Sequence, residues 1–371
     1  MTQVAIVGSP SYADVYAAIE KGIELIGGID DIISPGKRVL LKPNLLSAKP
    51  PERGITTHPA VVSALVDIVR EYGAVPAIGD SSGAAYKGVE RVWKNTGMLD
   101  VARSKDVELV NFETSGITLK EAFGFRFPVS SAVFDFDVIV DIPRFKSHSF
   151  VSFTGAVKNM YGVIPGLGKT EGHKRFPLPD EFGRMLAALY SVVKPHLVVM
   201  DAVTVMEGNG PASGELRHYG KLFVSTDGVA VDTVALTVAG YKKSRVPTYK
   251  WTKRFGLGET ELDRIELVGD SLGESYIHNF KKPSTSFYGF VPPFLPRLLA
   301  PLVRIRPAPV IGKCKNCLVC ASACPVNAIS PGREVPIWDY KKCILCLCCH
   351  EMCPEDAIEL KMSPLARLIS R

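Results

Sequence analysis

All nine cysteines of this 371-residue chain lie between positions 314 and 353, and eight of them repeat one spacing. The first copy is Cys314-x2-Cys317-x2-Cys320-x3-Cys324-Pro325, and the second is Cys343-x2-Cys346-x2-Cys349-x3-Cys353-Pro354. The two are related by a constant offset (343 − 314 = 29), and the match runs on past the cysteines, Cys-Pro-Val-Asn-Ala-Ile against Cys-Pro-Glu-Asp-Ala-Ile. A unit this small cannot bury enough apolar surface to hold itself together, so its cysteines must supply the missing cohesion.

This spacing is that of bacterial ferredoxins with two clusters. Three cysteines two residues apart let one tight loop present three thiolates to a [4Fe–4S] cube. The fourth, followed by the proline favoured at a first helical position, crosses to the other cube. One cube is therefore assigned to Cys314, Cys317, Cys320 and Cys353, and the other to Cys343, Cys346, Cys349 and Cys324. Structural zinc uses separated cysteine pairs around a single tetrahedron, which fits these triple runs poorly. A disulfide framework fits worse, because the first 313 residues contain no cysteine. Cys348 breaks both intervals if it replaces Cys349, so it reads as a bystander thiol. Electron handling is the expected task of this segment.

The length accommodates a large domain besides the small one. With 46% hydrophobic and 22% charged residues the composition is that of an ordinary globular protein, and the net charge of +6 is modest. No Lys/Arg block or aromatic-interleaved motif suggests nucleic acid as a partner. The chain opens directly on the strand-like run Val4–Val7, without the charged and long apolar regions of a secretion signal. The stretch Phe287–Val303 is apolar but interrupted by Pro292, Pro293, Pro296, Arg297 and Pro301, so no transmembrane segment is expected. A reducing cytoplasm is the expected location.

Residues 1–275 alternate strand-like runs with helical patterns, which predicts an α/β domain with a mostly parallel sheet flanked by helices. Strands are expected at Arg38–Leu41, Ala74–Ile78, Val138–Ile142, Leu197–Met200 and Leu222–Ser225. Helices are expected up to Ile23, over Pro59–Tyr72, whose Val62, Leu65, Val66 and Val69 share a face, and over Gly228–Ala239. Residues 276–312 are proline-rich and read as a linker and packing segment, with a membrane-surface or partner-docking role as the alternative. Residues 313–361 form the small α+β ferredoxin-type module, and 362–371 a basic tail.

Polar clusters follow the predicted strands: Lys42-Pro43-Asn44, Gly79-Asp80-Ser81-Ser82-Gly83, Arg144-Phe145-Lys146-Ser147-His148, and Asp201 with Glu207-Gly208-Asn209 beyond it. In an open parallel sheet the carboxyl ends of the strands share one edge, where ligands bind. Lys42, Lys146, Lys158 and Lys169, with His58, His148 and His173, would make that edge cationic and suited to a carboxylate or phosphate. Thr154 to Asn159 reads as a helix start whose free amides would add to the anion pocket, and Asp227 and Asp232 as organisers of the helix at Gly228. The segment from Gly162 to Thr170 resembles a phosphate-binding loop, but Val163 stands where the first glycine is required, so nucleotide triphosphate hydrolysis is rejected. No dinucleotide glycine fingerprint opens the first βα unit. His58, Asp80, His148, His173 and Asp201 are metal-ligand types without a local ligand pair.

Together these motifs resemble an iron–sulfur cluster-binding family catalogued as domain of unknown function 362, often carrying a C-terminal ferredoxin module. The resemblance rests on Lys42-Pro43-Asn44, Thr56-Thr57-His58-Pro59, Gly79-Asp80-Ser81, Phe145-Lys146-Ser147-His148, Thr154 to Asn159 and Glu207 to Pro211. The family pattern Lys-Thr-His is here Lys146-Ser147-His148, which keeps the hydroxyl. The resemblance implies a fold and cluster content, and supplies no reaction.

The leading expectation is an oxidoreductase passing electrons through two [4Fe–4S] clusters to an anionic small molecule or second cofactor. Lys42, Lys146 and Lys158 would hold the anion, and His148 or Asp80 would relay protons. Organic reductions mostly take two electrons, so a flavin, metal or radical stage is expected, without a signature in the sequence. Alternatives are an electron carrier or adaptor that docks a redox partner protein, and an isomerase or lyase with purely structural clusters.

Overall fold

The computed structural model describes residues 1–82, 88–166, 168–285 and 305–363. Gly83, the stretch 287–303 and the tail beyond Ser363 lie outside them. The chain opens with strand β1 (Thr2–Gly8), helix α1 (Val15–Leu25), strand β2 (Arg38–Pro43), helix α2 (Pro59–Glu71) and strand β3 (Val75–Asp80). Helix α2 starts where the sequence predicts. Pro59 loses no hydrogen bond at the first position, and His58 Nδ1 accepts from the Ala60 amide at 3.2 Å. Helices α3 (Val89–Asn95) and α4 (Met98–Lys105) lead to β4 (Glu108–Asn111) and a hairpin of β5 (Ile117–Ala122) and β6 (Phe125–Ser130). Next come β7 (Val138–Ile142), β8 (Arg144–His148), β9 (Ser152–Thr154), and helices α5 (Ala156–Asn159), α6 (Gly168–Arg175) and α7 (Pro179–Val192). Strands β10 (Leu197–Glu207) and β11 (Glu215–Ser225), helices α8 (Gly228–Val238) and α9 (Pro247–Phe255), and strand β12 (Ile265–Gly269) complete the large domain.

The main sheet has the order β12-β1-β11-β10-β7-β2-β3-β4, with β8 pairing beside β10 and β9 beside β8. It is mostly parallel; β11 runs antiparallel to both neighbours, and β9 to β8. Successive residues of a strand point to opposite faces, and both faces are covered. Val39, Leu41, Val138, Val140, Leu197 and Val199 pack with α1 and α2. Their alternates Leu40 and Ile139 pack with α7, and Val198 and Met200 with α8. This two-sided burial explains why the central strands read as near-continuous apolar runs.

From β2 the chain winds outward through β3 and β4, then returns so that β7 lies on the other side of β2 and leads to β10. The order reverses between β2 and β7, which makes the carboxyl ends of these strands the place where an open parallel sheet carries its ligand crevice. Three expected positions change. Arg144–His148 forms strand β8 instead of a loop, because it continues the line of β7 past Pro143 and pairs with the second half of β10. Asp201 and Glu207 lie inside β10, which runs well beyond Met200 because β11 and β8 supply its backbone partners. Strand β11 begins seven residues before Leu222 for the same reason (222 − 215 = 7).

The C-terminal module keeps the internal repeat in three dimensions. Short helices Val319–Ser322 and Cys348–Glu351 are offset by 29 (348 − 319), as are the left-handed residues Asn316 and Leu345, Leu318 and Leu347, Asn327 and Asp356. Strand β13 (Ile305–Pro309) pairs antiparallel with β16 (Ile358–Met362), and β14 (Ile329–Ser330) pairs with β15 (Ile337–Trp338). Residues 305–309, within the stretch read as linker, thus supply a strand, and Ile277 and Phe280 from the same stretch are buried in the large domain.

Candidate redox site

The ligand loops bend back on their own sulfurs. The Ala328 amide donates to Cys324 Sγ at 3.2 Å, and the Ala357 amide donates to Cys353 Sγ at the same distance. The Asn316 amide donates to Cys314 Sγ at 3.4 Å. Such N–H···S bonds stabilise thiolates ligating iron. Cys324, Cys343, Cys346 and Cys349 line one cavity with Ile329, Trp338 and Leu347. Cys353 lies instead by Cys317 and Cys320, close enough to interact electrostatically with both. Among the described residues no three His, Cys, Asp or Glu side chains are placed to hold a single metal ion. A zinc tetrahedron draws its sulfurs to about 2.3 Å from one ion, whereas a cube offers each thiolate its own iron and keeps the sulfurs apart. Cys324 with Cys343, Cys346 and Cys349 about one cavity, and Cys353 beside Cys317 and Cys320, match the crossed donor sets of two [4Fe–4S] cubes.

Lys42 and Asp141 face each other across β2 and β7 at the switch point. Lys42 Nζ pairs with Asp80 Oδ1 at 2.9 Å, both side chains fully enclosed, and the Leu45 amide donates to Asp80 Oδ2 at 2.9 Å. Gly162 closes over this pair. A Cβ there would stand 2.0 Å from Asp80 Oδ1, so only glycine lets the loop approach. Asn159 Nδ2 donates to Asp141 Oδ1 at 2.7 Å, Asn44 Nδ2 donates to Asn159 Oδ1 at 2.8 Å, and Lys146 Nζ donates to Asn44 Oδ1 at 2.8 Å and to the Ile55 carbonyl at 2.6 Å. Burial raises the Asp80 carboxyl despite Lys42, and pushes Asp141 up to about 8. Burial also holds the Lys146 ammonium well below its usual range, with Lys158 adding to the effect.

Lys169, at the start of α6, reaches back to the Ser81 carbonyl and hydroxyl, and Ser81 Oγ in turn donates to Glu113. Burial brings Lys169 down to about 8. Ser82 Oγ donates to the Leu46 carbonyl at 3.1 Å. His173 stacks on Phe182 at 4.2 Å, and burial, with the Lys158 charge adding to it, lowers it to about 3.

The module seats its second cysteine helix on this crevice. Glu351, 7% exposed, points into the large domain, with its Oε1 3.4 Å from His148 Nε2, too poorly aligned for a hydrogen bond. His148 Nδ1 accepts from the Phe150 amide at 3.1 Å, so the proton is on Nε2 and faces Glu351. Lys146 and Lys158 both interact electrostatically with Glu351. Burial raises Glu351 and depresses Lys158, and each opposes the other's shift. Cys348 is buried on the same helix, next to Lys158 and Tyr161. The thiol read as a bystander therefore lies between the ligand cysteines and the crevice.

The remaining expected residues form two neighbouring sets. Arg144 pairs with Asp201 and donates to the Tyr12 hydroxyl at 2.6 Å, while the His58 amide donates to Asp201 Oδ2 at 3.0 Å and the His58 ring stacks on Tyr12 at 3.6 Å. Glu207 accepts from the Lys281 amide at 3.1 Å, and Asn209 Oδ1 accepts from the Ser284 amide at 2.9 Å. These two hold the segment 281–285, not the crevice. The expected amides at the start of α5 are already used. Asp232 takes the amides of Ala156 and Val157 at 2.7 and 3.1 Å, which corrects both the anion-pocket reading of that helix start and the placement of Asp232 at the entry of α8. Asp227 does cap α8, accepting from the Val229 amide at 2.9 Å. Asp141 was missed, although a lone carboxylate in Val138–Ile142 is a signal by itself. Glu351 carries no sequence signal, since nothing local places the module against the crevice.

An α/β body with a 4Fe–4S-binding module against the switch-point crevice defines an iron–sulfur protein. Residues 39–237 match the family described as domain of unknown function (DUF362), and residues 311–330 and 336–359 match the 4Fe-4S binding domain. The chain belongs to the DUF362 family, whose model covers more than half of it. It is 33% identical over 283 residues to a thylakoid-associated protein of Synechocystis sp., a match spanning 76% of this chain and 87% of that one. A crystal structure of a Thermotoga maritima protein aligns with 60% of this chain and 57% of its own, at 14% identity and a TM-score of 0.36, too remote to carry an argument. No helix among the described residues is long and apolar enough to cross a membrane.

Proposed function

We propose that this protein is an oxidoreductase whose two [4Fe–4S] clusters pass single electrons to an anionic small molecule, or to a second cofactor, held in the switch-point crevice. The observation that carries this reading is the seating of helix Cys348–Glu351, which bears Cys349, on Lys146, Lys158 and His148. When bound by Cys324, Cys343, Cys346 and Cys349, a cube supplies one-electron chemistry next to that crevice. The protein side has separate parts. Lys158 has no hydrogen-bond or ion-pair partner among the described residues and is the cation offered to a ligand. Lys146 is positioned by Asn44 and Ile55, and Lys42 is neutralised by Asp80, so Lys42 acts through the network and not as a ligand contact. His148 presents an Nε2 proton to the crevice, in a position to hydrogen-bond a reduced product. The cytoplasm, or another reducing compartment, is the setting this chemistry requires.

Anaerobic purification with iron analysis and electron paramagnetic resonance tests the reading. The expected result is iron for two cubes, signals that appear on reduction, and perturbation of one signal in Lys158→Gln. Clusters that no reductant can reduce would leave a structural role only.

A further inference from the structure

Resting on that reading, we infer that Glu351 occupies the carboxylate subsite of the crevice, so that the natural ligand is a small carboxylic acid and not a phosphate ester. Glu351 reaches across from the ferredoxin-type module and is, among the described residues, the one carboxylate facing His148 Nε2, Lys146 and Lys158 together. Its Oε1 and His148 Nε2 are both buried, and neither has a hydrogen-bond partner among the described residues. Two buried groups that approach at 3.4 Å without aligning mark a position where a free carboxylate, able to rotate and settle, makes the bonds that a tethered one cannot.

The chemistry of the surroundings selects the ligand class. Phosphate is commonly held by clustered backbone amides at a helix start and by arginine forks. Here the amides of Ala156 and Val157 are taken by Asp232, and Arg144 is committed to Asp201 and Tyr12. What remains is the Lys158 ammonium, the third donor of Lys146 beyond its bonds to Asn44 and Ile55, and one imidazole N–H, donors that match the two oxygens of a carboxylate. A ligand carboxylate and Glu351 then compete for the same cations. Loading the crevice must turn the Glu351 side chain away, on the very helix that carries Cys349.

The test uses the full chain with its clusters and returns the deleted group as a solute. Glu351→Ala removes the carboxylate, and Glu351→Gln keeps its shape without its charge; neither touches a cluster ligand, so visible cluster absorbance checks that the module is intact. Acetate or formate is expected to raise the melting temperature of E351A by several degrees, with inorganic phosphate at equal ionic strength doing markedly less. Wild type should respond weakly, and E351Q should bind succinate more tightly than wild type in calorimetric titration. Adding Lys158→Gln to E351A should abolish the acetate response. If phosphate stabilises E351A as well as acetate does, or E351Q gains no affinity while wild type binds anions through Lys158, the inference is overturned and the anion-binding crevice stands. If no anion acts on wild type or on either variant, the anion-binding crevice itself falls.

Discussion

Lys42 and Asp80 show how charge is kept inside a sheet. Both are enclosed, and each is the other's main compensation for lost water. Asp80→Asn leaves the Lys42 ammonium facing a neutral amide. It should cost about 3–5 kcal/mol, the usual penalty for breaking a buried pair, while Lys42→Met combined with Asp80→Leu should recover much of the loss. Denaturant titration of the full chain decides: a single-variant cost near that of a surface pair, about 1 kcal/mol or less, would mean that water reaches the site. Asp141 predicts a pH dependence. Burial raises its carboxyl from 3.8 to about 8, so the folded chain keeps a proton that the unfolded chain releases. Its contribution is complete below 3.8 and is lost as pH rises through about 8. Relative to Asp141→Asn, wild type should therefore lose stability as pH rises across that window. Parallel stability curves for the two proteins would show that Asp141 does not hold the extra proton.

At the scale of elements, the two cysteine helices carry the same backbone turns because each must aim three sulfurs inward and send a fourth across. The crossing makes a prediction that an uncrossed pair of sites would not. Cys324→Ser lies in the first repeat but should strip the cube of the second, and Cys353→Ser the reverse, each variant losing half the iron and a different resonance signal. If C324S instead loses the signal that Cys314→Ser loses, the ligands do not cross. Cys348→Ala should keep the full iron content. The cysteine module was legible in the sequence because its chemistry is local: ligand spacing is dictated by a loop of a few residues. The α/β layers were legible for a similar reason, since runs such as Val138–Ile142 record burial on both faces. What escaped was non-local. Arg144–His148 looks like a polar loop until β10 supplies a partner for its backbone, and Asp232 looks like a cap for its own helix until the fold brings α5 to it.

For the whole molecule, the seating of the module matters most, and its attachment looks weak where it meets solvent. Asp356 pairs with Arg53 and lies 3.6 Å from Lys49, whose ammonium also donates to the Pro354 carbonyl, and His350 Nε2 is 3.4 Å from the Asn209 carbonyl. Arg53 is 48% exposed, so its pair with Asp356 is screened by water and salt and contributes on the order of 1 kcal/mol or less. The buried Glu351 contact is different in kind, because it joins the module to the crevice with charges that salt cannot reach. Asp356→Lys reverses the outer contact and sets three cations together. It should loosen the module without removing a cluster ligand or a crevice residue. Backbone hydrogen exchange at the end of β8 around His148, which Glu351 of the module meets, should then speed up, while the strands of the far edge, β1 and β12, stay protected. High salt should do the same to wild type, but less, since it screens the pair without reversing it. Unchanged exchange at β8 in D356K would mean that Glu351 and its apolar surroundings hold the module alone.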